Sequence, residues 1–449
     1  MDTASAAAVA TRPAGTRAPA ATTAVTCAAT LIALMNYTAP MTVLGPTGRS
    51  LGAGLAGQTW ILNGISVGLA AVLLTAGSLA DAYGRRRVFL VGALLLAVTS
   101  AWAALAGSTV SFVLARAGQG AATAALIAAG LGLIARAYQE PGARRQATAV
   151  WSAMLGAGIA LGPVASAAVT RLADWRWYYA ATALAALGLA AAGALVLGES
   201  AGGTRRVDVA GALTLTAGVV CLLAALTLGR TGWVRPGVLA LAVAAVVFLL
   251  LFGVAEARGR APMLDLRLLR TPGFVAATVG ALLTGAAVVG VMSYLPTVLQ
   301  HGLGLRPLAT AWLFAAWSGT AFAVSLGARR LRVRPRHQLA AGLLLSAVGD
   351  LAVLALLQRG TPALLPGLVV AGVGSGLLNT ALARLAVETV PPHAAAMGSG
   401  ANNTARYIGS SLGVTIVVAV AAVAHATGVL VLGAALAAAG SVLLLALHD

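Results

Sequence analysis

The sequence predicts an all-α integral membrane fold of fourteen spans, and three observations carry that expectation. Of 449 residues, 60% are hydrophobic and 9% charged, with a mean hydropathy of +0.93. A soluble chain of this size carries about 25% charged residues. Apolar runs long enough to cross a bilayer, about 20 residues each, recur fourteen times. The 29 basic residues, all arginine, gather in alternate connections between these runs, which is the bias that orients membrane proteins. The net charge of +18 therefore reads as topology and not as a nucleic-acid footprint.

In chain order the runs fall at 24–44, 58–80, 88–107, 111–135, 146–170, 176–197, 208–228, 237–255, 273–299, 307–327, 338–357, 362–387, 398–424 and 427–447. Residues 1–23 are rich in Ala, Thr and Pro and read as a disordered cytoplasmic tail. A cleaved signal is disfavoured, because the run that follows opens a series of similar ones. An even number of spans puts both ends on one side. With that side inside, 19 arginines lie in cytoplasmic segments and seven in outer loops. Arg116, Arg384 and Arg406 lie within spans. The abundance of Ala, Gly and Arg, with no Lys, points to a GC-rich bacterial genome. Cys27 and Cys221 sit inside apolar runs and the five histidines at helix ends or in loops, so neither a disulfide framework nor a metal cluster is visible. An enzyme reading finds no nucleophile–base pair and no phosphate loop.

A shift of 250 residues lays Gly77 on Gly327, and Arg329-Arg330-Leu331-Arg332 reads as a degraded copy of the loop after Gly77. The same shift lays Pro141 on Pro391. This divides the chain into a half at 24–200, an insertion of two spans at 201–260 and a second half at 261–449.

Four segments carry chemistry. Between the second and third runs stands Gly77-Ser78-Leu79-Ala80-Asp81-Ala82-Tyr83-Gly84-Arg85-Arg86-Arg87. Glycines permit a tight turn, and a carboxylate there can sit on the positive N-terminus of a neighbouring helix. The fourth run holds Arg116-Ala117-Gly118-Gln119-Gly120. A charge at membrane depth is expensive unless it pairs or faces water, so Arg116 is either a functional group or a structural one bonded to carbonyls. The fifth run contains Gly158-Ile159-Ala160-Leu161-Gly162-Pro163-Val164-Ala165-Ser166-Ala167, where small residues allow close helix packing and proline bends the helix. The thirteenth opens Met397-Gly398-Ser399-Gly400-Ala401-Asn402-Asn403-Thr404-Ala405-Arg406-Tyr407-Ile408-Gly409.

Together these segments resemble the major facilitator superfamily, and the two extra spans resemble its fourteen-helix drug:proton antiporter branch. The first loop matches the family's cytoplasmic loop at every patterned position. The fifth run resembles the antiporter motif, with Ser166 and Ala167 where that motif closes on two glycines. Asp174-Trp175-Arg176-Trp177-Tyr178 is similar to an element opening the sixth span of that branch, although its aromatics equally suit an interfacial belt. The resemblance implies the major facilitator fold, with two six-helix halves and two extra helices between them. It implies a secondary transporter that exports small organic compounds by proton antiport, driven by the proton gradient and needing no cofactor. A facilitative uptake carrier is the alternative, and a non-transporting receptor or scaffold a weaker one.

The resemblance assigns a cytoplasmic gate to Gly77, Asp81, Gly84, Arg85 and Arg86, with Asp81 touching Gly398–Gly400 when that side is closed. It assigns the antiporter motif to Gly158, Gly162 and Pro163. Coupling or buried charge is expected at Arg116, Arg406 and Asp350, and a substrate cavity at Asn36, Tyr37, Gln119, Asn402 and Asn403. The chain departs from the branch in one place. The acid usual in the first span is replaced by Asn36-Tyr37, and Asp350, in the eleventh span, is the one acid read well inside any run. Asp350 either pairs with an arginine or is protonated and passive. With Arg116 and Arg406 reaching the cavity, neutral or anionic substrates are preferred to cations. The partners expected are that small-molecule substrate and the bilayer of the cell membrane, with no nucleic acid, and the chain is expected to act as a monomer.

Overall fold

A computed structural model describes residues 19–198, 208–229, 232, 234–259, 266–328, 331, 333–390 and 395–446. The chain folds as α1 (Pro19–Thr38), α2 (Pro40–Ser50), α3 (Leu55–Tyr83), α4 (Arg85–Leu105), α5 (Thr109–Ala137), α6 (Pro141–Leu172), α7 (Trp175–Val196), α8 (Val209–Gly229), α9 (Pro236–Arg258), α10 (Pro272–Thr284), α11 (Gly290–Leu303), α12 (Pro307–Ala328), α13 (Pro335–Leu356), α14 (Leu365–Glu388) and α15 (Ala395–Ala446). Helix is the one way a single lipid-exposed segment satisfies its own backbone, and proline opens many of these helices, where its missing N–H costs nothing. Gly84 joins α3 to α4 in one residue at φ +100°, a conformation open to glycine.

Thirteen helices among the described residues are long and apolar enough to span a membrane. The last of them, α15, is two helices folded at His425, whose φ is +50°. The fold-back is visible in its packing: Gly409 meets Leu282 and Gly440 meets Leu283, from either side of the bend. Fourteen spans result, as the hydropathy of the sequence implies. Helix α1 begins at Pro19, so the stretch 19–23 read as tail is helical, its threonines and alanines continuing into the apolar run. Residues 1–18, Arg329-Arg330, Arg332 and Pro391 lie outside the described residues.

The second set of helices repeats the packing of the first. Helix α5 packs on α3 and α4, and α14 packs correspondingly on α12 and α13; α1 packs on α6, and α10 and α11 on α15. The two sets meet through α3 with α15, α6 with α12, and α2 with α11. Helix α8 packs on α3 and α15, with the Thr216 hydroxyl donating to Ala71 O at 2.9 Å. Helix α9 packs chiefly on α8 and turns Val243, Val246, Leu250 and Leu251 outward to lipid. Glu256, which the sequence placed beyond the eighth run, lies inside α9 at 3% exposure.

Candidate functional site: a cavity between the two helix sets

A cavity of about 1160 Å³ lies between the two sets. Its inner end is walled by Tyr37, Val288, Trp317, Arg406, Tyr407 and Ser410, and its mouth by Asp81, Arg144, Arg384 and Met397. The mouth residues Asp81, Arg144 and Arg384 sit within four residues of a helix end. They mark one end of the bundle, where Arg85 donates to Gly132 O at 2.8 Å and the Thr23 hydroxyl meets Tyr138 Oη at 3.2 Å. The opposite end is closed. Gln300 Nε2 donates to Thr42 O at 2.8 Å and to Thr310 Oγ1 at 2.9 Å, and Val43, Ala167 and Ala311 share one buried cluster.

Tyr37 spans the two helix sets at the cavity's inner end. Its hydroxyl lies 3.2 Å from both Ser66 Oγ and Ser410 Oγ, and its ring stands edge-on to Tyr407 at 5.8 Å. Arg406 lies over the Tyr407 ring at 5.3 Å. Asn402 and Asn403 also line the cavity, Asn402 Nδ2 donating to Ala277 O at 3.0 Å. The wall bends here because Gly285–Val289 winds as a π segment between α10 and α11, a local widening common at functional sites. Gly285 is so close to Arg406 O that a Cβ would collide with it.

Arg116 is the structural guanidinium bonded to carbonyls that one of the two sequence readings describes, and not the cavity group the other expected. It is fully buried and does not line the cavity, and neither do Asn36 and Gln119. Arg116 Nη1 donates to Asn36 O at 2.8 Å, to Asn36 Oδ1 at 3.4 Å and to Gln119 Oε1 at 2.8 Å; Nη2 donates to Tyr37 O at 3.2 Å. Gln119 Nε2 continues the chain to Ser100 Oγ at 3.1 Å. The amides expected to steady a substrate instead satisfy a buried guanidinium, because acceptors are scarce inside a helix bundle and a charge there takes whichever are near. Trp175, Tyr179 and Phe112 pack edge-to-face beside it at 5.2–5.9 Å. The aromatics after Asp174 therefore divide: Trp175 is core and Trp177 faces outward.

The proline motif of α6 lies against α1 and α2. A Cβ at Gly158 would stand 2.7 Å from Leu31 O and from Leu34 Cβ, and one at Gly162 would collide with Met35 O and Thr38 Oγ1. Pro163 has no N–H for Ile159 O, and the Thr38 hydroxyl donates to that carbonyl at 3.3 Å instead. Ser166, standing where the motif has glycine, donates to Ala39 O at 2.7 Å. Gly162→Val is expected to force α6 away from α1 and to cut folded yield several-fold, while Ser166→Gly retains the packing and costs about 1 kcal/mol for the lost hydrogen bond. Size-exclusion recovery of the two variants checks the contrast.

In the loop after α3, Arg85 Nη2 donates to Asp81 Oδ1 at 3.1 Å and Arg86 Nη2 to Ala194 O at 2.9 Å. Asp81 lines the mouth of the open end, and among the described residues no hydrogen bond joins it to Gly398–Gly400. Asp350 is buried between α13 and the last helix, where a Cβ on Gly433 would stand 2.6 Å from its Oδ2. It is away from the cavity, and no arginine among the described residues pairs with it. Sequence reasoning passed over Trp317, Tyr407 and Ser410. The available signal for Trp317 was an aromatic beside a hydroxyl residue, Ser318, in the middle of an aliphatic span, and for Tyr407 its place next to Arg406, in a chain only 5% aromatic.

Known proteins resemble the chain along most of its length. The puromycin resistance protein pur8 of Streptomyces alboniger is 33% identical over 87% of this chain and 79% of its own. The cephamycin export protein CmcT of Amycolatopsis lactamdurans is 31% identical over 89% and 85%. The crystal structure of the human organic anion transporter MFSD10 (TETRAN) superimposes with a TM-score of 0.68 over 95% of this chain and 99% of that one, at 18% identity, a likeness of fold. Residues 26–414 match the sequence pattern of the Major Facilitator Superfamily, and with these helices and this cavity the chain belongs to that superfamily of multi-pass membrane transporters.

Proposed function

We propose that this protein exports small organic compounds of antibiotic or drug type across the cell membrane by alternating access. One observation carries the reading: a wide, mostly apolar cavity lies between two helix sets of matching packing, open at one end and sealed at the other. The roles named for its relatives, resistance to puromycin and export of cephamycin, support the direction and the substrate class. The halves are 24–200 and 261–449, with 201–260 inserted between them, and a monomer holds a complete cavity. The open end is cytoplasmic in this reading, since the Arg85–Arg87 turn, the start of α1 at Pro19 and the end of α15 at Ala446 lie there, and the gate is built from Gly77, Asp81, Gly84, Arg85 and Arg86. Substrates are neutral or anionic, because Arg406 is the charge at the inner end of the cavity.

The test is expression in a bacterium stripped of its own pumps. Resistance to a set of antibiotics should rise, and everted vesicles should accumulate the same compounds. Cysteines at 50, 108 and 360 should label from outside and one at 333 from inside. Failure to extrude any compound would end the export reading, and reversed labels would end the orientation.

Proton antiport is the coupling we propose, and one observation favours a facilitative carrier instead. Among the described residues the cavity's carboxylates, Asp81 and Asp208, sit near its mouth and none at its inner end. Collapsing the pH gradient across the vesicles decides between them: antiport stops, and facilitated flux continues down the substrate gradient.

A further inference from the structure

Five charged side chains among the described residues line the cavity: Asp81, Arg144, Asp208, Arg384 and Arg406. Four belong to the mouth or its rim, and three of those four have partners. Asp81 pairs with Arg85 at 3.1 Å, Arg384 pairs with Glu388 at 3.2 Å, and Asp208 Oδ1 caps α8 by accepting from Gly211 N at 2.8 Å. Arg406 differs from them in depth and in company. It stands eleven residues into α15, about 16 Å from that helix end at 1.5 Å per residue. Among the described residues no carboxylate lies within 4.0 Å of it and no acceptor takes its N–H groups. Its guanidinium carbon lies 5.3 Å from the centre of the Tyr407 ring, within the range of a cation–π interaction.

A guanidinium in a cavity, half-buried and short of acceptors, is a receptor for an anion. Its planar fork matches the two oxygens of a carboxylate. The neighbouring groups on the same helix suit the rest of such a ligand. Asn403 and Ser410 lie one turn to either side of Arg406, so all three share a face of α15. Tyr37 and Tyr407 present ring edges and faces beside it, and Trp317 lines the same chamber. Trp317 is held by its indole N–H donating to Ser375 Oγ at 3.1 Å, which leaves its ring as an apolar wall. Planar or apolar bodies pack on such surfaces.

We infer that the inner chamber is a binding site for amphipathic organic carboxylates, with Arg406 taking the carboxylate and Tyr37, Tyr407 and Trp317 taking the body. The transport of such compounds rests on the export reading above; their binding does not. Arg406 is thus the specificity-determining residue of the cavity. Asn403 and Ser410 offer an amide and a hydroxyl to a carboxylate oxygen that the guanidinium leaves exposed.

A matched set of fluorescent probes tests this on the purified full-length protein: dansylglycine, its carboxamide, and dansylcadaverine, which carry charges of −1, 0 and +1 on one aromatic body. Dansylglycine should bind at least about tenfold more tightly than the carboxamide, the span of one good charge-assisted contact, with dansylcadaverine weakest. Arg406→Gln should erase the preference for dansylglycine while carboxamide binding stays within about twofold. Arg406→Lys should keep part of the preference, a point charge replacing the fork. Equal binding of carboxylate and carboxamide to the unaltered protein would overturn the inference, and so would parallel loss of both in Arg406→Gln, which would make Arg406 a packing residue. Efflux of dansylglycine from cells is read separately: binding without efflux would count against export and leave the site standing.

Discussion

Arg116→Ala is expected to abolish recovery of folded protein, a larger effect than any substitution in the cavity itself. The guanidinium is fully buried and gives four hydrogen bonds to three residues, Asn36, Tyr37 and Gln119. Its removal strands Asn36 O, Tyr37 O and Gln119 Oε1 in a dry interior, at about 1–3 kcal/mol for each unsatisfied group. The deleted side chain also leaves a void beside Tyr179, whose ring lies 6.0 Å from the guanidinium carbon. Together these losses rival the whole stability of a typical domain, about 5–15 kcal/mol. Arg116→Lys should be milder, since an ammonium reaches one or two of the acceptors but cannot span all of them. Monodisperse yield after extraction and the midpoint of thermal aggregation measure both variants. If Arg116→Ala kept normal yield and thermal stability yet lost transport, Arg116 would be a coupling residue and not a clamp.

Arg116 also shows where reading the sequence stops. Hydropathy placed all fourteen spans, because a bilayer imposes one length and one polarity on every crossing. The shift of 250 residues that aligned Gly77 with Gly327 also lays α4, at Arg85–Leu105, on α13, at Pro335–Leu356. The spacing of Gly158, Gly162 and Pro163 foretold a close helix contact, since small residues have no other reason to recur at one face. What sequence could not supply was the direction of each polar side chain. Asn36 and Tyr37 are neighbours in the chain, yet Asn36 turns inward to Arg116 while Tyr37 reaches the cavity and Ser410. Adjacent helical residues point about 100° apart, so a pair of polar positions divides between two environments. The outcome depends on which helix lies on which side. Glu256 escaped notice for a related reason: α9 is longer than the apolar run that marked it, and its last turn packs where Gly211 leaves room.

The sealed end of the cavity yields the second large effect, and a disulfide across it should stop transport outright. Asn63 of α3 lies fully buried and in the half of that helix remote from Asp81. Its Nδ2 donates to Ser411 O and to Thr415 Oγ1 on α15, each at 3.2 Å, and to Thr227 Oγ1 on α8 at 3.4 Å. One side chain thus joins the first helix set, the second set and the inserted pair. If the cavity opens alternately to the two sides, α3 and α15 must part at this point in every cycle, and these bonds must break and reform. Each is a modest net contribution of about 0.5–1.5 kcal/mol, small enough to be reversible. A covalent link is not. Asn63→Cys with Thr415→Cys, made in a chain whose Cys27 and Cys221 are replaced by serine, should form a disulfide on mild oxidation, and transport in vesicles should fall to background. Reduction should restore it, and neither single cysteine variant should respond to oxidant. Mass spectrometry confirms that the bond is present in the sample assayed. Transport that continued undiminished with the disulfide formed would mean that α3 and α15 stay together there throughout the cycle, and that substrate leaves by a route other than the parting of the two helix sets.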